Sequence, residues 1–224
     1  MTFSIVARCT RTDQLGMAVS SSSPAVAARC AHAKAGAGVV ASQNITDPRL
    51  GPKTLLAMAE GHSAPEAVKM IINASKNADF RQLLAVDARG NAAIYSGSKS
   101  LGTHADFASH NAAAAGNLLA NPAIPEAMVT AFHQGTGHLG DRLIDAMRAA
   151  LALGGEAGAL HSAGLLLVGE QEWPMADLRC DWTEDCPIEA VAAAWNIYKP
   201  QMDDYIVRAL DPAKAPQYGV PGDE

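Results

Sequence analysis

Thr2 directly follows the initiator methionine. Methionine aminopeptidases accept a small second residue, so this threonine can become the mature N-terminus, with a hydroxyl and a free α-amine on one residue. An α-amine titrates at about pH 7.7–8.0 and can therefore serve as a base near neutrality. A weak hydroxyl nucleophile beside a base is the general arrangement for covalent catalysis, and the threonine/N-terminal amine pair is one form of it. Many cytosolic proteins begin Met-Thr without any such chemistry. The weight of the reading falls on what positions the residue.

The residues that follow alternate as a strand, with Phe3, Ile5 and Ala7 on one face and Thr2, Ser4 and Val6 on the other. A polar turn over 10–14 leads to a second strand over 15–20, so the pair reads as a β-hairpin. The second strand runs into Ser20-Ser21-Ser22-Ser23-Pro24, which taken alone is a solvated turn. The hairpin, however, returns this serine run to the start of the first strand, beside Thr2.

The spacing predicts a short helix or irregular crossing over 25–35 and a strand over 36–43. Helices follow over 53–60 and from an N-cap at Ser63. Strands over 81–87 and 91–96 flank Ala88-Arg89-Gly90, and 97–111 reads as a long polar surface loop. A strand over 112–119, helices over 122–133 and 138–153, strands over 162–168 and 176–181 and a helix over 188–210, bent near Pro200, complete the order. Residues 211–224 are a proline-rich arm. Antiparallel hairpins with segregated helix pairs fit a layered α+β architecture rather than alternating βαβ units. No repeat or linker divides the chain, so 1–224 is expected to be one domain.

The 224 residues are 49% hydrophobic and 18% charged, ordinary for a folded globular chain, and the net charge of −6 disfavours nucleic acid or an anionic membrane as partner. No apolar run approaches the ~18–20 residues that span a bilayer, and the start lacks a basic segment before an apolar one. A cytoplasmic location is expected, with Cys9, Cys30, Cys180 and Cys186 reduced. Gly36-Ala37-Gly38 leads into a strand rather than out of one and lacks the third glycine of a dinucleotide fingerprint, so no cofactor is expected. His104, Asp106 and His110 match no zinc spacing, and no metal is expected.

Several separated stretches together resemble the DUF1028 family of uncharacterised bacterial proteins. They are residues 1–7 and 16–26, 36–43 and 81–87, Gly116-Asn117-Leu118-Leu119, Ser162-Ala163 with its leucine strand, and Asp177-Leu178-Arg179. That family is similar to the N-terminal nucleophile (Ntn) hydrolases. The resemblance implies a four-layer αββα sandwich and hydrolysis of an amide-like bond, with Thr2 where the nucleophile of such enzymes sits. It also implies polar partners at the end of the second strand, where Ser21, Ser22 and Ser23 stand. Asn117 can donate its amide hydrogens to a developing oxyanion. Gln43 ends a strand near the same presumed opening. Asp177 and Arg179 share one face of an alternating strand and can clamp a substrate carboxylate or orient the nucleophile. Lys34 is a candidate charge partner.

The function expected is cleavage of a small amide or amino-acid derivative, Thr2, Asn117 and Ser22 acting in catalysis and Ser21, Ser23, Gln43, Asp177 and Arg179 in substrate binding. The alternative is a non-catalytic member that binds a small molecule in the same pocket. A symmetric homo-oligomer, a dimer, is the expected assembly.

Overall fold

The first strand is apolar or small at nearly every position, and both of its faces are covered. The computed structural model describes residues 2–222. In chain order the elements are β1 (Thr2–Arg8), β2 (Leu15–Ser21), α1 (Val26–Cys30), β3 (Ala31–Lys34), β4 (Gly38–Asn44), α2 (Leu50–Ala59), α3 (Ala64–Asn73), β5 (Arg81–Asp87), β6 (Ala92–Ser96), β7 (Ala105–Ser109), β8 (Ala112–Asn117), α4 (Ile124–Gln134), α5 (Leu139–Ala152), β9 (Ser162–Val168), β10 (Ala176–Cys180), α6 (Pro187–Tyr198) and α7 (Met202–Leu210). They form two antiparallel sheets, one ordered β10-β9-β2-β1-β8-β7 and the other β3-β4-β5-β6. The hairpin read from the sequence places β1 and β2 at the centre of the larger sheet.

Strand alternation sorts the side chains into three cores. Phe3, Ile5, Ala7, Leu165 and Leu167 pack beneath α4, α5 and α6. Val6, Met17 and Val19 meet Val39, Ala41, Leu84 and Val86 of the smaller sheet. Val40, Leu83 and Ala85 face α2 and α3. The four successive alanines of β8 are all fully buried, which lets the smaller sheet approach the larger one closely. Among the described residues no helix is long and apolar enough to cross a membrane.

Three stretches differ from the sequence expectation. Residues 97–111 are not loop throughout, because 105–109 form β7, the edge strand beside β8. Its polar residues hid it: Asp106 turns toward β6 and accepts from Ser96 Oγ at 2.6 Å, while Ala105 and Phe107 reach the helix-covered core. Residues 25–35 resolve into one helical turn and the short edge strand β3. The last helix is broken rather than bent, with a 3₁₀ turn at Lys199–Gln201 separating α6 from α7, since Pro200 offers no N–H to continue the ladder. The following arm folds back, with Arg208 donating to Pro216 O at 3.0 Å.

Asp87 ties the smaller sheet to its helices. Its carboxylate is 4% exposed and accepts from Arg89 N, Asn91 N, Asn91 Nδ2 and Ala64 N, all at 2.9–3.0 Å. One side chain thus closes the β5–β6 turn and caps α3. Asp87→Ala strands these donors and should cost about 3 kcal/mol, since one unsatisfied buried group alone costs ~1–3 kcal/mol. Urea denaturation checks this, the midpoint falling with the slope unchanged. A loss below about 0.5 kcal/mol, the range of ordinary surface substitutions, would remove Asp87 from this role.

Candidate functional site

Thr2 begins β1 at one end of the larger sheet, 4% exposed, on the face turned toward the smaller sheet. The strand registers explain its neighbours. Thr2 pairs with Asn117 of β8, Phe3 pairs with Ser20 of β2, and Ser21 pairs with Ser162 of β9. Asn117, Thr2, Ser21 and Ser162 therefore form one polar row across four strands. Thr2 Oγ1 donates to Ser21 Oγ at 3.3 Å, and Ser21 Oγ lies 2.8 Å from Ser23 Oγ. Arg29 of α1 donates to Ser23 Oγ at 2.6 Å. A chain of hydroxyls thus links the candidate nucleophile to a guanidinium. Ser162 Oγ donates to Ser23 O at 2.6 Å and accepts from Val26 N at 3.2 Å, fixing the serine run against α1.

Behind this row lies a buried column of amides between the sheets. Ser4 Oγ donates to Gln43 Oε1 at 2.6 Å. Gln43 Nε2 donates to Ala115 O at 3.1 Å and to Gln82 Oε1 at 3.2 Å. Gln82 Nε2 donates to Gly116 O at 3.1 Å and to Ser96 Oγ at 3.2 Å. Because Ala115 O and Gly116 O can only accept, they fix which way both glutamine amides face. Asn117 must then present Nδ2 to Gln82 Oε1, which it does at 2.9 Å. Its Oδ1 is left buried without a partner, in a residue that is 0% exposed. The expected oxyanion donor thus has one of its two amide hydrogens committed to Gln82, and the atom left without a partner is its oxygen, an acceptor.

The residue that sequence reasoning missed is Glu156, in the connection from α5 to β9. It is 4% exposed, and both carboxylate oxygens accept from Ser22 N, at 3.2 and 3.3 Å. Burial is the main cause that pushes its carboxyl up to about 7, opposed by hydrogen bonds from the Ser22 side chain and backbone and by His161. A carboxyl poised near neutrality in a polar row is a candidate acid or base. The only hint in the sequence is one acidic residue inside Gly154-Gly155-Glu156-Ala157-Gly158. Gly154 at φ 101° and Gly155 at φ 60° let this segment fold over the sheet.

Three of the five non-glycine residues with left-handed backbone among the described residues lie within two positions of site residues. They are Ala25 after the serine run, Asn44 after Gln43 and Leu118 after Asn117. Asparagine tolerates that region, but alanine and leucine pay about 1–2 kcal/mol for it. Such strain gathers where the surrounding structure holds a functional geometry.

The remaining candidates lie apart. Asp177 and Arg179 bind each other, Nε to Oδ1 at 2.8 Å and NH2 to Oδ2 at 2.7 Å. They stand on β10, an edge strand three places from β1, about 14 Å away at the usual strand spacing. Lys34 lines a cleft of about 930 Å³ at the opposite end of β1, with Arg8 and Asp13. His104 Nδ1 faces Gly102 O at 3.2 Å, and among the described residues no three His, Cys, Asp or Glu side chains converge to share a metal ion.

No curated protein matches the chain. A solved structure of protein SPO2555 from Silicibacter pomeroyi, itself DUF1028, is 30% identical, with a TM-score of 0.82 over 88% of this chain and 89% of that one. Anbu (ancestral beta-subunit) from Yersinia bercovieri covers 91% of this chain and 97% of its own at 10% identity and a TM-score of 0.40, a likeness on which no inference rests. The model of DUF1028, a family of unknown function, matches residues 2–191. The chain therefore belongs to the DUF1028 family.

Proposed function

We propose that this chain is an Ntn-type amidohydrolase with a four-layer αββα sandwich, acting on a small amide or amino-acid derivative through Thr2. After Met1 is removed, the Thr2 hydroxyl attacks the substrate carbonyl and its proton passes to the Thr2 amine. The tetrahedral intermediate collapses, the leaving amine takes that proton, and water hydrolyses the resulting threonyl ester. The observation that carries the reading is the placement of Thr2: a buried hydroxyl at a strand terminus, hydrogen-bonded into the Ser21–Ser23 chain.

The Asn117 amide favours a second reading, a non-catalytic small-molecule site, because one of its hydrogens is held by Gln82 and the atom left without a partner is its oxygen, which cannot donate to an oxyanion. One chemical experiment on protein from its native host bears on both. Periodate cleaves a vicinal amino alcohol, so in denaturant it converts an N-terminal threonine to a glyoxylyl group with loss of acetaldehyde and ammonia. Intact mass should show Met1 absent and the periodate product formed. Full retention of Met1 would end the amine-assisted mechanism and leave the binding reading.

A further inference from the structure

The segment carrying Glu156 crosses the end of β1. The row one step beyond Thr2 is bounded by Ser22, which follows Ser21 of β2, and by Leu118, which follows Asn117 of β8. Glu156 touches both sides of that row. Its carboxylate accepts from Ser22 N, its backbone bridges Leu119, and Ala157 N donates to Leu118 O at 2.9 Å. The Thr2 nitrogen is the first atom of β1 among the described residues and borders this row. Arg8 N donates to Asn111 O of the β8 side at 2.9 Å, so by parity the nitrogens of Val6, Ser4 and Thr2 point to that side too, Thr2 N toward its partner Asn117, and the two further hydrogens of a free ammonium are left to turn toward the row beyond.

We propose that Glu156 is the counter-ion of the Thr2 α-ammonium once Met1 is removed, a positioning residue that holds the amine at the end of β1. This rests on the reading of Thr2 as an N-terminal nucleophile and adds what fixes its amine. The buried Oδ1 of Asn117, in the strand pair of Thr2, is a second acceptor on the same row. Among the described residues neither Arg29 nor His161 forms a hydrogen bond or ion pair with Glu156. Arg29 binds Ser23 Oγ, Pro24 O and Ala25 O, and His161 holds Thr183 O at 2.8 Å, stacks on Trp182 and faces Glu184 at 3.8 Å. Glu156 itself has Ser22 as its hydrogen-bonding partner and little water, so its charged form is one that an adjacent cation would stabilise. The pairing holds the amine protonated to higher pH and sets the acid limb of any activity that uses it as base.

The test needs no substrate. Trace acetylation of the processed protein by acetic anhydride between pH 5 and 10, read on the N-terminal peptide by mass spectrometry, gives the titration midpoint of the Thr2 amine. In Glu156→Gln, a near-isostere that still accepts from Ser22 N, the midpoint should fall by about one pH unit, the effect of removing one close opposite charge. Glu156→Asp, which keeps the charge at a greater distance, should lie between. A purely structural role changes stability but not the midpoint. Equal midpoints in wild type and both variants would overturn the pairing while leaving Thr2 as nucleophile. Full retention of Met1 in protein from the native host would remove the amine altogether, and with it the nucleophile reading as well.

Discussion

Thr2→Val should fold normally and turn over nothing. Valine matches threonine in shape, so a residue 4% exposed at the end of β1 keeps its packing and loses only the hydroxyl that donates to Ser21. Thr2→Ala should be equally inactive, while Thr2→Ser keeps both hydroxyl and amine and should retain a fraction of the wild-type rate. A residue fixed permanently before Thr2 should be as inactive as Thr2→Val despite an intact hydroxyl, because the base is then an amide nitrogen with no lone pair to offer. A nucleophile–base unit of this kind loses nearly all its advantage when either half is removed, on the order of 10³-fold or more. Screening small amides and ureides against wild type and Thr2→Ala supplies the substrate on which these rates are compared. Wild-type turnover by the extended protein would end the N-terminal mechanism.

Ile5→Asp should leave no folded protein. Ile5 is 0% exposed, paired with Ala18 on one side and Ala114 on the other, within the core beneath α4, α5 and α6. Its nearest strand partners are alanines, which offer no hydrogen bond to a carboxylate. An unpaired charge there costs several kcal/mol, comparable to the whole stability of a typical domain, about 5–15 kcal/mol. Circular dichroism and solubility settle the matter. Soluble Ile5→Asp with a native-like thermal transition would mean that β1 is not the central strand.

The elements that were legible in the sequence are those whose side chains state their surroundings. β9 is a run of small and leucine residues and was readable to the residue, and Ser63 as N-cap marked the start of α3. β7 was not, because an edge strand facing β6 and solvent carries aspartate and serine that look like loop. The site divides the same way. That Thr2 meets the serine run was legible because a hairpin is a local construction whose ends meet by geometry. Glu156 was not, because it meets Ser22 across 134 positions and only the whole ordering of β2, β1 and β8 brings them together. Asp177 and Arg179 were singled out for sharing a strand face, which says nothing of how far along the sheet that strand lies.

Two sheets faced largely with alanine and valine have smooth surfaces that could slide on one another at little loss of contact. The Ser4–Gln43–Gln82–Asn117 column works as a key in a slot: a slide of one residue, about 3.4 Å, would pull its amides off the Ala115 and Gly116 carbonyls and leave them dry and unmatched. The alignment of the sheets is thus a hydrogen-bond dimension, set by contacts of 2.6–3.2 Å, rather than a compromise among soft apolar contacts. Thr2 stands at the reference end of that gauge, so any group that the smaller sheet offers across the gap meets its hydroxyl in that same alignment.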